Sequence, residues 1–219
     1  MTHLGNIACP RVRAVPAGPE EVKELQFCLD GTPRYHRLTQ GTRADPGAAA
    51  RLLDDAAADP SRRVFLLWPR RAGPPLGVLD LELHQPEPLV AHVGLLLLRE
   101  AVQGLGLGRE VVEGLARALA RAGFAALRLS VGDENPGARA FWEGMGAEPV
   151  GRLDRGVTVY ELRLSPDERR PIPPHPSTAA TGSATFDARP ARPRMPSQML
   201  RRATEPNPTW NRNKKGSDE

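Results

Sequence analysis

The sequence predicts a mixed α/β domain over residues 1–165, followed by a Pro/Arg-rich tail over residues 166–219 that is expected to be disordered. Three observations carry that reading. The run LVAHVGLLLL at residues 89–98 is almost wholly apolar, as expected of a strand covered on both faces at the centre of a sheet. Three glycines at alternate positions, Gly104, Gly106 and Gly108, then lead into an amphipathic helical pattern. Finally, composition changes at residue 166: the tail holds 10 of the 23 prolines, shows no periodicity and has few large apolar residues, too little to offset its ordering entropy.

The elements follow in order. Residues 11–15 alternate basic with small or apolar residues and predict a first strand. GPEEVKELQFCLDG predicts a helix with Pro19 near its N-terminus, acidic residues in its first turn, and Val22, Leu25 and Leu29 as its apolar stripe. TPRYHRLTQGTRADPG reads as loop or short helix, and Pro46 and Pro60 bound a second helical pattern between them. RRVFLLWP is a strand, and LGVLDLELH alternates Leu76, Val78 and Asp80 against Gly77, Leu79 and Leu81 as its hairpin partner. After the glycines, Val111, Leu115 and Leu119 recur at spacing four, opposite Arg109, Glu113, Arg117 and Arg121. FAALRLSV is the next strand. NPGARAFWEGMGA offers Asn135 as N-cap, Pro136 as first helical residue and Gly146 as stop, and EPVGRL and VTVYEL close the domain as a strand pair.

Charge and composition exclude several function classes. The formal net charge is +4, but the tail carries 10 Lys and Arg against 6 Asp and Glu, so residues 1–165 net zero. A folded domain without net positive charge is a poor candidate for nucleic-acid binding. No apolar run is long enough to span a bilayer, and the N-terminus lacks the pattern of a secretory signal, so a cytoplasmic protein without a membrane partner is expected. Cys9 and Cys28 are expected as reduced thiols. No metal site is expected: His84 and His92 lie on different strands without cysteine partners at zinc-ligand spacing.

Glycines at a helix entrance suggest anion binding, because a helix's first turn leaves N–H groups unpaired and carries partial positive charge. Spacing separates the designs. A dinucleotide fingerprint needs a glycine where this chain has Arg109 or Val111, and a P-loop needs a lysine at the helix start, whereas the lysines here are Lys23, Lys214 and Lys215. What remains is QGLGLG, residues 103–108, five residues after a buried strand. It resembles the Gln/Arg-x-x-Gly-x-Gly/Ala acyl-CoA signature of the GCN5-related N-acetyltransferase (GNAT) superfamily. NPGARAFWEGMGA resembles that family's second conserved segment, with Asn135, Ala138, Phe141 and Gly146 matching in place.

The resemblance implies a mixed, mostly antiparallel central sheet, flanked by helices and splayed between the strands at residues 93–98 and 126–131, with the pantetheine arm of acetyl-CoA in the gap. The backbone of Leu96 and Leu98 would pair with the pantetheine amides. The N–H groups of Gln103, Gly104, Leu105, Gly106, Leu107, Gly108 and Arg109 would cradle the pyrophosphate, with Asn135 and Phe141 completing the cofactor side. It further implies acetyl transfer to an amine of a small molecule or peptide by direct attack, and it allows a homodimer.

That reaction needs a base for the amine proton and a way to release the thiolate. The family's usual thiolate partner is a tyrosine. Here that position holds Trp142, whose indole N–H can donate a hydrogen bond but cannot act as an acid near neutral pH. A thiol pKa of about 8.5 makes thiolate a good leaving group, so water can protonate it while Trp142 packs beneath the cofactor. The alternative is a non-catalytic acyl-CoA-binding regulatory or interaction protein. Among candidate bases, Glu82 ranks first, ahead of Asp80 on the same strand face, His92 and Glu134. Ala147 replaces the family's usual Phe after Gly146, and Tyr35 and His36 are candidates for contact with the amine.

Overall fold

The computed structural model describes residues 4–153 and 156–164, so the tail predicted over residues 166–219 lies outside the described residues. The strands are β1 (Ile7–Ala8), β2 (Val12–Pro16), β3 (Arg62–Pro69), β4 (Gly77–Leu83), β5 (Val90–Leu98), β6 (Ala126–Gly132), β7 (Glu148–Leu153) and β8 (Val157–Arg163). The helices are α1 (Val22–Asp30), α2 (Pro33–Gln40), α3 (Ala48–Ala58), α4 (Leu107–Arg121) and α5 (Pro136–Glu143). The strands form one sheet in the order β1-β2-β3-β4-β5-β6-β8-β7. Every neighbouring pair is antiparallel except β5 with β6, which run parallel.

Strand alternation divides the apolar residues between two cores. On one face, Leu79, Leu81 and Leu83 of β4, Ala91 and Val93 of β5, and Leu127, Leu129 and Val131 of β6 pack against Val111, Val112, Leu115 and Leu119 of α4 and Trp142 of α5. On the other, Val64 and Leu66 of β3, Val78 of β4, and Leu95 and Leu97 of β5 pack against Leu25, Cys28 and Leu29 of α1 and Ala49, Leu52 and Leu53 of α3. Strand β5 contributes to both cores, which is why its sequence is a continuous apolar run rather than an alternating one.

Where the sequence allows either a loop or a short helix, the structure has α2: Pro33 supplies a preset φ at its first position and Gly41, at φ 67°, closes it in the left-handed region. A two-residue strand, β1, precedes the first strand expected from the sequence and pairs with it. It is too short to carry a periodic signal. Both cysteines are free and buried, Cys9 in the first core and Cys28 in the second, and burial pushes the Cys28 thiol up to about 12. No helix among the described residues is long and apolar enough to cross a membrane.

Candidate active site

The parallel pairing of β5 with β6 covers only Val90 to Val93 against Ala126 to Leu129. Beyond Val93, β5 continues to Leu98 and β6 to Gly132 without pairing with each other, so the sheet opens into a cleft. The cause lies on the other edge of β5. Asp80 of β4 stands opposite Leu95 and Leu81 opposite Val93, which leaves Gly94 as a bulged residue with no partner. A bulge bends its strand and increases the local twist. Gly94 is required there because a Cβ would fall 2.8 Å from Oδ2 of Asp80.

That carboxylate cannot move aside. Arg62 of β3 donates to it from Nε at 2.9 Å and from Nη2 at 2.7 Å, and both residues are almost wholly buried. The two-pronged geometry matches a planar guanidinium to a carboxylate, and Asp55 adds a longer contact of 3.6 Å to Arg62 Nη1. Asp80, weighed above as a base, is therefore held in a buried ion pair.

The cleft opens onto the glycine loop. A 3-10 turn at Glu100–Val102 follows β5, and Gln103 closes the loop on the strand end by donating from Nε2 to the Leu98 carbonyl at 2.7 Å. Gly104 and Gly106 adopt φ of 76° and 77°, conformations that side-chain-bearing residues rarely take. Gly106 is the N-cap of α4 and no side chain caps the helix, so the N–H groups of the first turn lack a side-chain acceptor. Gln103, Gly104, Leu105 and Gly106 are exposed, as is Arg109, whose Nη2 donates to the Gly144 carbonyl at 3.2 Å and ties the loop to the end of α5.

Helix α5 forms the opposite bank. Asn135 caps it by accepting the Ala138 N–H at 3.0 Å, Pro136 opens it, and it ends at Glu143, three residues before the expected stop at Gly146. Phe141 lies over Gly108: a Cβ on that glycine would sit 3.3 Å from the ring and 3.7 Å from Cδ1 of Leu98. Leu98, Gly108 and Phe141, three residues predicted separately, thus converge at the cleft mouth. Trp142 meets Phe141 edge-on at 5.2 Å between centroids and is buried in the first core.

Glu82 lies on the other face. It stands in register with Arg62 on β3 and His92 on β5, and His92 is in register with Arg128 on β6, so the four form a polar row across the sheet beside the point where β5 and β6 part. Burial, and then the charge of Asp80, push the Glu82 carboxyl upward. The His92 imidazole is lowered to about 4 by burial and by Arg128, and its Nδ1 is buried without a hydrogen-bond partner. Arg128 is itself held by Glu161 at 2.6 Å and Glu87 at 3.0 Å. Of the remaining candidates, Glu134 is exposed in the turn before α5, and Tyr35 and His36 belong to α2, where His36 is buried and the two rings meet edge to face.

The family is decided by comparison with known proteins. The model of the Acetyltransferase (GNAT) family matches residues 32–147, which takes in the cleft, the glycine loop and α5. The chain belongs to the GNAT acetyltransferase family. The structure is similar to that of an acetyltransferase from Thermus thermophilus, at 31% identity over 73% of this chain and 99% of that one, with a TM-score of 0.65. It also resembles RimL, a ribosomal L7/L12 alpha-N-protein acetyltransferase in complex with coenzyme A, at 14% identity, 74% and 99% coverage and a TM-score of 0.61. The GNAT domain of S. lividans PAT aligns at 15% identity over 70% and 90%, with a TM-score of 0.56. No curated protein matched the sequence. This GNAT chain is an acetyltransferase, and its mixed sheet with flanking helices is the fold expected from the sequence.

Two features of this GNAT site were not read from the sequence. The Gly94 bulge had one visible signal, a glycine inside an otherwise apolar strand, which commonly marks a bulge or a close approach. The role of Arg62 had none, because a buried bidentate pair is a property of adjacent strands and not of local sequence.

Proposed function

We propose that the protein transfers an acetyl group from acetyl-CoA to an amine of a small molecule or peptide by direct attack at the splayed end of β5. The observation that carries this reading is the uncapped, glycine-lined start of α4 at the mouth of the cleft between β5 and β6. The exposed loop residues and the unpaired N–H groups of the first turn suit a pyrophosphate. The β6-facing edge of β5 beyond Val93, Leu96 and Leu98 included, offers backbone groups to the amides of the pantetheine arm. Phe141 packs beside Gly108 on the cofactor side, and Asn135 fixes the start of the helix that carries it. When bound, acetyl-CoA supplies the activated acyl group.

Glu82 takes the proton of the attacking amine. Its carboxylate is half-buried, engages no hydrogen-bond or ion-pair partner among the described residues, and holds its proton more tightly than an exposed glutamate because of burial and Asp80. A base with a raised pKa is better matched to accepting a proton near neutral pH. As the amine nitrogen bonds to the carbonyl carbon, the C–S bond breaks and the thiolate leaves. Trp142 supports the cleft floor from within the core, and solvent protonates the sulfur, which a leaving group of pKa about 8.5 tolerates. Glu82 and Trp142 lie on opposite faces of the sheet, so amine and thioester approach the splay from opposite sides.

The test is thiol release from acetyl-CoA across a panel of polyamines, aminoglycosides, simple amines and peptide N-termini, using the wild type and Glu82→Gln. Turnover with some members, lost in the variant while CoA binding persists, supports the reading. Tight CoA binding without turnover anywhere on the panel would count against it.

A further inference from the structure

The glycine loop is held from a distant part of the chain. Arg11 lies in the turn between β1 and β2, and its backbone N–H donates to Oε2 of Glu110 at 3.0 Å. Its Nε donates to Oε1 of the same carboxylate, and its Nη2 donates to the Leu105 carbonyl at 2.9 Å. The guanidinium also borders Gly106, where a Cβ would lie 3.5 Å from Nη2. The turn is anchored in its own right: Arg70 donates from Nε to the Cys9 carbonyl at 2.8 Å and from its backbone N–H to the Arg11 carbonyl at 2.9 Å.

Glu110 is the fourth residue of α4, and side chains on a helix lean toward its N-terminus, so this carboxylate reaches back toward the loop. An acidic residue in a first turn stabilises an empty helix end. At a helix end that takes a phosphate it has the opposite effect, competing for the same N–H groups and repelling the ligand. The Leu105 carbonyl poses a smaller version of the same problem. Arg11 engages both.

We propose that Arg11 is a cofactor-positioning residue, which masks the Glu110 carboxylate and the Leu105 carbonyl so that the loop presents a net positive face to the phosphates of the acyl donor. The inference rests on the acyl-CoA reading of the loop given above. The Arg11 side chain is more than half exposed, and its backbone N–H keeps the hydrogen bond to the less exposed Glu110 when that side chain is removed, so Arg11→Ala leaves the fold intact.

The experiment is equilibrium binding of CoA, by calorimetry, to the full-length wild type, Arg11→Ala, Glu110→Gln and the double variant, with thermal melting of each. Arg11→Ala should weaken CoA about tenfold, the scale of an unmasked charge at a helix end. Adding Glu110→Gln removes that charge and should restore affinity to within about twofold of wild type. Glu110→Gln alone leaves the Arg11 guanidinium without its counter-charge beside the loop and should bind CoA at least as tightly as wild type. A merely structural role would not be rescued by a second substitution in the same contact. Wild-type CoA affinity in Arg11→Ala, or a double variant as weak as Arg11→Ala, overturns the inference alone. Failure of the wild type to bind CoA would overturn the acyl-CoA reading, and the inference with it.

Discussion

Replacing His92 by Gln should flatten the acid limb of the protein's stability profile. His92 is 8% exposed and is held near pKa 4, against 6.5 for an unperturbed imidazole, first by burial and then by Arg128. Glu82 faces it from β4 and Arg128 from β6. The unfolded chain takes up the His92 proton as pH drops through 6.5, whereas the folded chain does so only near 4. The stability due to the neutral imidazole is therefore complete above pH 6.5 and is lost as pH falls toward 4. The cost approaches about 1.4 kcal/mol per pH unit in the middle of that window, so acidification from about 6.5 to about 4.5 removes about 2 kcal/mol. For a chain of this size that corresponds to roughly 4–8 °C in Tm. Glu82 titrates in both proteins, so the difference between them isolates His92. Urea unfolding followed by tryptophan fluorescence between about pH 7.5 and 4.5 measures it, and the His92 ring-proton shift in the wild type reads the same quantity without a mutation. Parallel pH profiles for the two proteins, or an inflection near 6.5 in the ring shift, would refute the reasoning.

Glu82→Gln should lower kcat by about 10²- to 10⁴-fold, as expected for loss of a general base. Because Glu82 holds its proton to higher pH in the fold than in the unfolded chain, its ionised form opposes folding at neutral pH. The same variant should therefore melt above wild type at about pH 7, the gap closing on acidification, and a variant melting below wild type there would contradict this. Gly108→Val should raise the acetyl-CoA KM by pressing on Phe141, whose ring already lies 3.3 Å from the site of a Cβ, and unchanged CoA affinity in a folded variant would argue against the loop assignment. Asp80→Ala should cost about 3–5 kcal/mol in urea unfolding, because it removes both short hydrogen bonds of the buried Arg62 guanidinium and leaves it the charge of Glu82 in register on β4 and Asp55 at 3.6 Å. A loss under about 1 kcal/mol, on the scale of an exposed pair, would mean the pair is not sealed from water.

The parts of the site that were legible in the sequence are those whose cause is local. The start of α5 is written in consecutive residues: Asn135 accepts the Ala138 N–H and Pro136 takes the first helical position, both as read from NPG. The stripe Val111, Leu115 and Leu119 identified α4 because helix period is a short-range property. Segments with weak periodicity carry less local information: α2, with two arginines, a histidine and a threonine in eight residues, is compatible with loop or helix in sequence, and Tyr35 packs it against the second core. Long-range contacts left no local mark. Nothing in the sequence around Arg11 connects it with Glu110, and Asp80 read as a candidate base because its partner Arg62 lies on the preceding strand.

The Arg62–Asp80 pair ties these observations to function. Two buried charges brought together cost several kcal/mol each in desolvation, and their attraction offsets this only when geometry is good, so a pair of well-packed apolar residues would serve stability as well. The pair does something such residues would not. It fixes a carboxylate at the point on β4 where Gly94 passes, and only a residue without a side chain fits beside it. The resulting bulge turns β5 away from β6 at Val93, leaving the strand edge unpaired up to Leu98, where Gln103 hands the chain to the glycine loop. The same carboxylate raises the proton affinity of Glu82, two residues further along β4. One ion pair thus shapes the cleft proposed for the donor and raises the proton affinity of the carboxylate proposed as the base. Asp80→Asn, which keeps the shape but removes the charge, should lower the kinetic pKa assigned to Glu82 while CoA binding persists, and an unshifted pH–rate profile would separate the two roles.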